Sequence, residues 1–126
     1  MPKISVILTT FERPNKLKRA IKSVIKQTFQ DWELIIVDDC SQDGKTAKIC
    51  EKFSNKDNRI RYIRRKSNFG QHTRPKNEGL KSAKSDYIAY LDDDNEYRKD
   101  HLQALWTYKQ DLDVACRSRE IGRAHV

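Results

Sequence analysis

Three adjacent carboxylates, Asp92-Asp93-Asp94, follow the apolar run Tyr87-Ile-Ala-Tyr-Leu91. Acids this close repel one another unless a cation or hydrogen-bond donors sit among them. In a continuing extended backbone Asp92 and Asp94 point to one side and Asp93 to the other. Such a pair of hard oxygen ligands suits Mg²⁺ or Mn²⁺, which keeps waters and takes further oxygens from a substrate diphosphate. The alternative is a solvated acidic turn capping the next helix. A second pair, Asp38-Asp39, closes the run Trp32 to Val37. Asp39 is read as the acceptor for a base N–H or a ribose hydroxyl. Asp38 stays open between that role and N-capping the next helix. Thr9 and Thr10 end a third apolar run, and Glu12 follows. Glu12 either binds a ribose or sits favourably near a helix N-terminus.

Several chemistries have no motif here. There is no GxGxxG and no GxxxxGK[ST], so dinucleotide and P-loop sites lack their glycine cradle. No GxSxG elbow or cysteine–histidine pair suggests covalent catalysis. Cys40, Cys50 and Cys116 form no CxxC pair and read as reduced, partly buried small hydrophobes. His72, His101 and His125 form no HxH or HExxH pattern, so no zinc site is expected.

The acids need elements that bring them together. Lys3 to Thr10 is short and rich in β-branched residues, which predicts a buried strand. Pro14 suits a helix first turn, and Leu17, Ala20, Ile21, Val24 and Ile25 form one apolar stripe of a helix ending near Thr28. Strands are expected at Trp32 to Val37, Ile60 to Ile63 and Tyr87 to Leu91. Helices are expected at about Lys45 to Phe53, Pro75 to Ala83 and Lys99 to Lys109, the last with Leu102, Leu105 and Trp106 inward. Ser54 to Asn58 reads as a turn and Val114 to Cys116 as the start of a fifth strand. Strands alternating with helices predict βαβ units: an α/β fold, a three-layer α/β/α sandwich around a mostly parallel sheet. Ligands in such sheets bind at the carboxyl ends of the strands, where Thr9-Thr10, Asp38-Asp39 and Asp92 to Asp94 all fall.

The chain has 126 residues, enough for one domain and one core. It is 37% hydrophobic and 35% charged, with a net charge of +8. The apolar residues come in blocks, which predicts a folded chain. No run approaches the roughly 18 apolar residues of a membrane span, and Met1-Pro2-Lys3-Ile4 opens no signal-peptide core. The expected location is cytoplasmic. The positive charge favours anionic partners, although Lys16, Lys18, Arg19, Lys22 and Lys26 also suit a solvated helix face.

Five segments in order resemble one family. They are Ile4-Ser-Val-Ile-Leu-Thr-Thr-Phe-Glu-Arg-Pro14, Gln27-Thr-Phe-Gln-Asp-Trp-Glu-Leu-Ile-Ile-Val-Asp-Asp-Cys-Ser-Gln-Asp-Gly44, Asn68-Phe-Gly70, Asn77-Glu-Gly79 and Tyr87-Ile-Ala-Tyr-Leu-Asp-Asp-Asp94. Together they resemble the amino-terminal, nucleotide-sugar-binding part of a family 2 glycosyltransferase with the GT-A fold. The resemblance covers nearly all of residues 3 to about 116.

The resemblance implies a UDP-sugar donor, with the Thr9 region and Asp39 at the base and Asp39 accepting from uracil N3–H. It likens Asp92 to Asp94 to the DxD motif: Asp92 and Asp93 approach the ribose, and Asp94, with Asp92, holds Mn²⁺ or Mg²⁺. Arg74 and Lys76 flank the place where the family commonly carries a base before Asn-x-Gly, here with Pro75 where a small residue is usual. The implied reaction is inverting transfer to an acceptor hydroxyl on a glycan or lipid carrier, and the basic helix faces are compatible with peripheral association at the inner face of a membrane. No position matches the family's general base, which is expected beyond this chain. Residues 1–119 are therefore read as an incomplete donor-binding domain, inactive alone. Residues 120–126 resemble a translated sequencing adapter and are read as a non-native tail. Two rivals are a receiver-like Mg²⁺-binding regulatory domain and a basic nucleic-acid-binding domain. The first lacks a convincing phosphoacceptor Asp and a Lys after the last strand, and the second a recognition motif. Nucleic acid is not the expected partner.

Overall fold

The run Ile4-Ser-Val-Ile-Leu-Thr-Thr10 is apolar on both faces, and a strand with no wet face must lie inside a sheet. It forms the central strand β1 (Ile4–Thr10) of the computed structural model, which describes residues 1–66, 75–115 and 124–125. β2 (Trp32–Asp38), β3 (Ile60–Arg64), β4 (Tyr87–Asp92) and β5 (Ala124–His125) complete a sheet of order β3-β2-β1-β4-β5, every pairing parallel. The helices are α1 (Pro14–Ile25), α2 (Lys45–Lys56), α3 (Pro75–Ser82) and α4 (His101–Ala115).

Two apolar clusters make three layers. On one face Val6, Leu8, Leu34, Ile36 and Ala89 pack against Leu17, Ile21 and Val24 of α1, Cys50 of α2 and Leu102 of α4. On the other, Ile7, Ile35, Val37 and Ile88 pack under Leu80 of α3. Here Gly79 is required. A Cβ at that position would lie 2.6 Å from Ile7 Cγ2, so only glycine lets α3 approach β1 this closely.

From Asp94 to Asp100 the chain runs back along the sheet. The Tyr97 hydroxyl donates to the Tyr90 carbonyl, Tyr97 N–H to Ser23 Oγ, and Thr28 N–H to the Lys99 carbonyl. Gln27, fully buried, accepts from Leu102 N–H and donates to the Ser23 and Arg98 carbonyls. It thereby satisfies one of α4's free N-terminal donors.

The elements match the sequence reading with two differences. α2 continues through Ser54 to Lys56, replacing the expected turn, and stops where Asp57 turns extended. Val114 lies in the last turn of α4 rather than in a strand. No Gly or Pro separates Lys109 from Ala115, so nothing stops that helix. The fifth strand is Ala124–His125, inside the segment read as a tail, and it pairs with Tyr87 and Ile88. Cys116, His72 and the Asn68-Phe69-Gly70 segment lie outside the described residues.

Candidate functional site

β1 pairs with β2 on one side and β4 on the other, while the β1-to-β2 and β3-to-β4 crossovers leave on opposite faces. That reversal opens a crevice at the carboxyl ends of the strands. The register puts Thr10 beside Asp38 and Thr9 beside Asp92. A cleft of about 350 Å³ lies there, with Thr9, Thr10, Asp39, Asp92, Asp93 and Asp94 in its wall, joined by Phe11, Arg13 and Pro75. Each of the three strand-end clusters read from the sequence thus sends at least one residue into a single cavity.

Within the triplet, burial alternates as an extended backbone dictates. Asp92 and Asp94 are exposed, and Asp93 is buried. Asp93 Oδ2 accepts from Thr10 Oγ1 at 3.0 Å and Phe11 N–H at 3.3 Å, and Oδ1 accepts from Arg13 Nη1 at 3.3 Å. Both oxygens are in use, so Asp93, expected to approach a ribose, ties the end of β4 to the β1–α1 turn. Asp94 meets the same Arg13 nitrogen at 3.5 Å, and its side chain is 47% exposed. The Asp92 carboxylate makes no hydrogen bond among the described residues.

At the end of β2 the two acids divide their roles. Asp38 is fully buried. Its Oδ1 accepts from Ser41 N–H and Oγ, and its Oδ2 from the Tyr62 hydroxyl at 2.9 Å. It shapes the loop. It neither faces the cleft nor caps α2, where Asp43 accepts from Thr46 N–H. Burial, then the bond to Asp38, pushes the Tyr62 hydroxyl well above its ordinary range. Asp39 borders the cleft with Oδ1 held by Arg65 Nη1 at 2.7 Å.

Glu12 stands outside the cleft wall. It has a left-handed φ of 50°, donates its N–H to Ser41 Oγ and accepts from Gln42 N–H, stitching the loops after β1 and β2 together. Lys76 is exposed, its ammonium 5.1 Å from the Tyr90 ring, and lines an adjacent cavity of about 280 Å³ that shares Asp92. Arg74 lies outside the described residues.

Two arginines in this site went unread in the sequence: Arg13 and Arg65. Arg65 follows directly on β3, so the strand-end argument that singled out Asp39 also applied to it. Among the described residues no three His, Cys, Asp or Glu side chains converge as a metal cage. Asp92 and Asp94 are nonetheless two open carboxylates of one cleft. That donor set fits a hard cation drawing its other oxygens from water and phosphate. Cys50 is buried and its thiol is pushed up to about 12, chiefly by burial, which makes it inert packing.

The model of glycosyl transferase family 2 matches residues 5–124. The chain belongs to that family. This family 2 chain is 40% identical over 111 residues to the poly(ribitol-phosphate) beta-N-acetylglucosaminyltransferase TarP of Staphylococcus aureus (strain N315), covering 86% of this chain and 33% of the relative. It is 38% identical over 105 residues to a GalNAc(5)-diNAcBac-PP-undecaprenol beta-1,3-glucosyltransferase of Campylobacter jejuni, covering 83% and 34%. The structure of S. aureus TarS 1-349 in complex with UDP-GlcNAc superposes with a TM-score of 0.78 at 31% identity, over 86% of this chain and 31% of that one. The family 2 chain thus has the GT-A fold and spans about a third of the length of these relatives.

Proposed function

We propose that the cleft binds a UDP-sugar and that the chain is the donor-binding part of an enzyme that transfers the sugar to an acceptor hydroxyl with inversion. The convergence of Thr9, Thr10, Asp39, Asp92 and Asp94 at one switch point supports this most. Arg65 fixes Asp39 and leaves Oδ2 to accept a uracil N–H. Thr9 and Thr10 form the wall between base and diphosphate. Asp92 faces the ribose and, with Asp94, would hold Mn²⁺ or Mg²⁺. That cation would supply Lewis-acid neutralisation of the charge on the departing diphosphate. Lys76, beside Asp92, and Arg74 are the bases assigned to the donor's anionic groups.

The relatives' names carry a GlcNAc transfer to poly(ribitol-phosphate) and a glucose transfer to an undecaprenol-linked glycan. We accordingly take the acceptor as a glycan or lipid-linked hydroxyl. No residue of this chain is assigned as general base, so the chain alone is expected to bind donor without turning it over. Lys16, Lys18, Arg19, Lys22 and Lys26 are all exposed around α1, a surface suited to an anionic bilayer. Among the described residues no helix is long and apolar enough to cross a membrane.

Calorimetry of UDP with and without Mn²⁺, on the wild type and on Asp94→Ala, tests this reading. Mn²⁺ is expected to tighten UDP binding about tenfold in the wild type, ~1.4 kcal/mol, and to leave Asp94→Ala unchanged. Equal affinity in all four titrations removes the metal assignment. No UDP binding by the wild type removes the whole reading.

A further inference from the structure

Arg13 holds a place in the cleft that a purely structural ion pair would not need. We propose that it is the site's resident cation: pinned by Asp93, shared with Asp94, and positioned to bind the donor's diphosphate. This rests on the reading of the cleft as a nucleoside-diphosphate site.

The geometry is specific. A single nitrogen, Nη1, stands 3.3 Å from Asp93 Oδ1 and 3.5 Å from Asp94 Oδ2, between the two carboxylates. The two contacts differ in strength. The Asp93 side chain is 8% exposed and is also held by Thr10 and Phe11 N–H, so its attraction is weakly screened. The Asp94 side chain is 47% exposed, and its attraction is screened by water and salt. If a divalent cation bound Asp94, Arg13 would give up that weaker contact and stay on Asp93.

What remains is a charged fork in the cleft wall. Arg13 is half exposed, and its Nη2 and Nε make no hydrogen bond among the described residues. A guanidinium is planar and always charged, and its paired donors match phosphate oxygens. The backbone places it well: Arg13 is the N-cap of α1, with Pro14 following, so it sits where the helix's positive end also favours an anion. Arg13 thus plays two parts. Without a divalent cation it offsets the acidic triplet. With donor bound it contributes charge-assisted hydrogen bonds to the diphosphate.

These parts predict effects of opposite sign. Arg13→Gln is expected to weaken UDP binding in metal-free buffer by about tenfold, the loss of one charge-assisted contact. Uridine, which carries no phosphate, is expected to bind unchanged. Mn²⁺ alone, followed by electron paramagnetic resonance, is expected to bind about two- to threefold tighter, because a competing cation has left Asp94. An Arg13→Gln variant that binds UDP as the wild type does, that loses UDP and uridine equally, or that holds Mn²⁺ more weakly overturns the assignment. If circular dichroism shows Arg13→Gln unfolded, Arg13→Lys carries the same test. It keeps the charge and loses the fork, so a few-fold loss of UDP affinity with unchanged uridine affinity is expected, and an unchanged UDP affinity overturns it. A wild type that does not prefer UDP to uridine brings down the proposed function. A preference that survives in the variant brings down only the role of Arg13.

Discussion

At the amino rim of the sheet, Glu33 lies buried and accepts three hydrogen bonds: from Ser5 Oγ at 2.5 Å, Lys84 N–H at 2.7 Å and Arg61 Nη2 at 2.7 Å. Ser5 Oγ in turn accepts from Ser85 N–H, and Ser85 donates to the Lys3 carbonyl. Arg61 also reaches the Ser82 carbonyl at the last residue of α3, and Arg59 stacks 3.8 Å over Trp32 while pairing with Asp57. At the carboxyl rim, some five residues along the same strands, Asp92 and Asp94 stand exposed around a cleft. Both rims bring acids and arginines together. Glu33 at the amino rim is committed to the protein's own donors, whereas at the carboxyl rim Asp92 and Asp94 stand exposed in a cleft wall. The difference teaches that a strand-end acid signals function when it lines a shared cleft without being consumed by the fold, not by its presence alone.

Removing an acid from each rim should therefore have opposite consequences. Glu33→Ala leaves Ser5, Lys84 N–H and Arg61 without their acceptor inside the protein. Breaking such a buried pair is expected to cost about 3–5 kcal/mol, read as a lowered denaturant midpoint. The remaining folded protein should bind UDP normally. A Glu33→Ala protein of wild-type stability would make the amino rim no more committed than the carboxyl one. Asp92→Asn is the counterpart. It removes an exposed charge that has no hydrogen bond among the described residues from a repelling cluster, and its stability should stay within about 0.5 kcal/mol of the wild type. UDP affinity in Mn²⁺ should fall. A large loss of stability with intact UDP binding would reverse the contrast.

The rims also differ in how far the sequence reveals them. Asp39, Asp92 and Asp94 could be placed in one cleft because strand ends in a parallel sheet share one edge, and the apolar runs mark those ends without ambiguity. The strands and the first helix follow from the same runs: Leu17, Ala20, Ile21 and Val24 are all buried as their spacing requires. The partnerships were not legible. Glu33 reads as an ordinary polar residue inside a strand until Arg61 and Lys84 arrive from 28 and 51 residues away. Arg13 and Asp93 are likewise 80 residues apart, and only the pairing of β1 with β4 makes them neighbours. Alternation along an extended backbone separates Asp93 from Asp92 and Asp94, but nothing local shows that the side taken by Asp93 is the inward one, where Thr10 meets it. The end of α4 was misread for a different reason. Apolar Val114 and Ala115 suit a strand as well as a helix, and no breaker before them decides between the two.

The smallest expected effect concerns acid. Two groups on the amino-rim side have lowered values. Asp57 is lowered first by its side-chain bond to Arg59. His101, where α4 begins, is lowered by the burial of its ring, stacked 4.2 Å from Tyr97, with Asp100 opposing. In each case the unfolded chain takes up a proton before the folded one, so stability is present at high pH and lost as pH falls. For His101 the loss begins below the ordinary value of 6.5, and for Asp57 below 3.8. Denaturant midpoints measured from pH 8 to pH 3 should therefore show a shallow decline below about pH 6.5 and a second one near the acid end. His101→Gln should abolish the first and keep the second. A decline below pH 6.5 that survives in His101→Gln would mean that another group sets it.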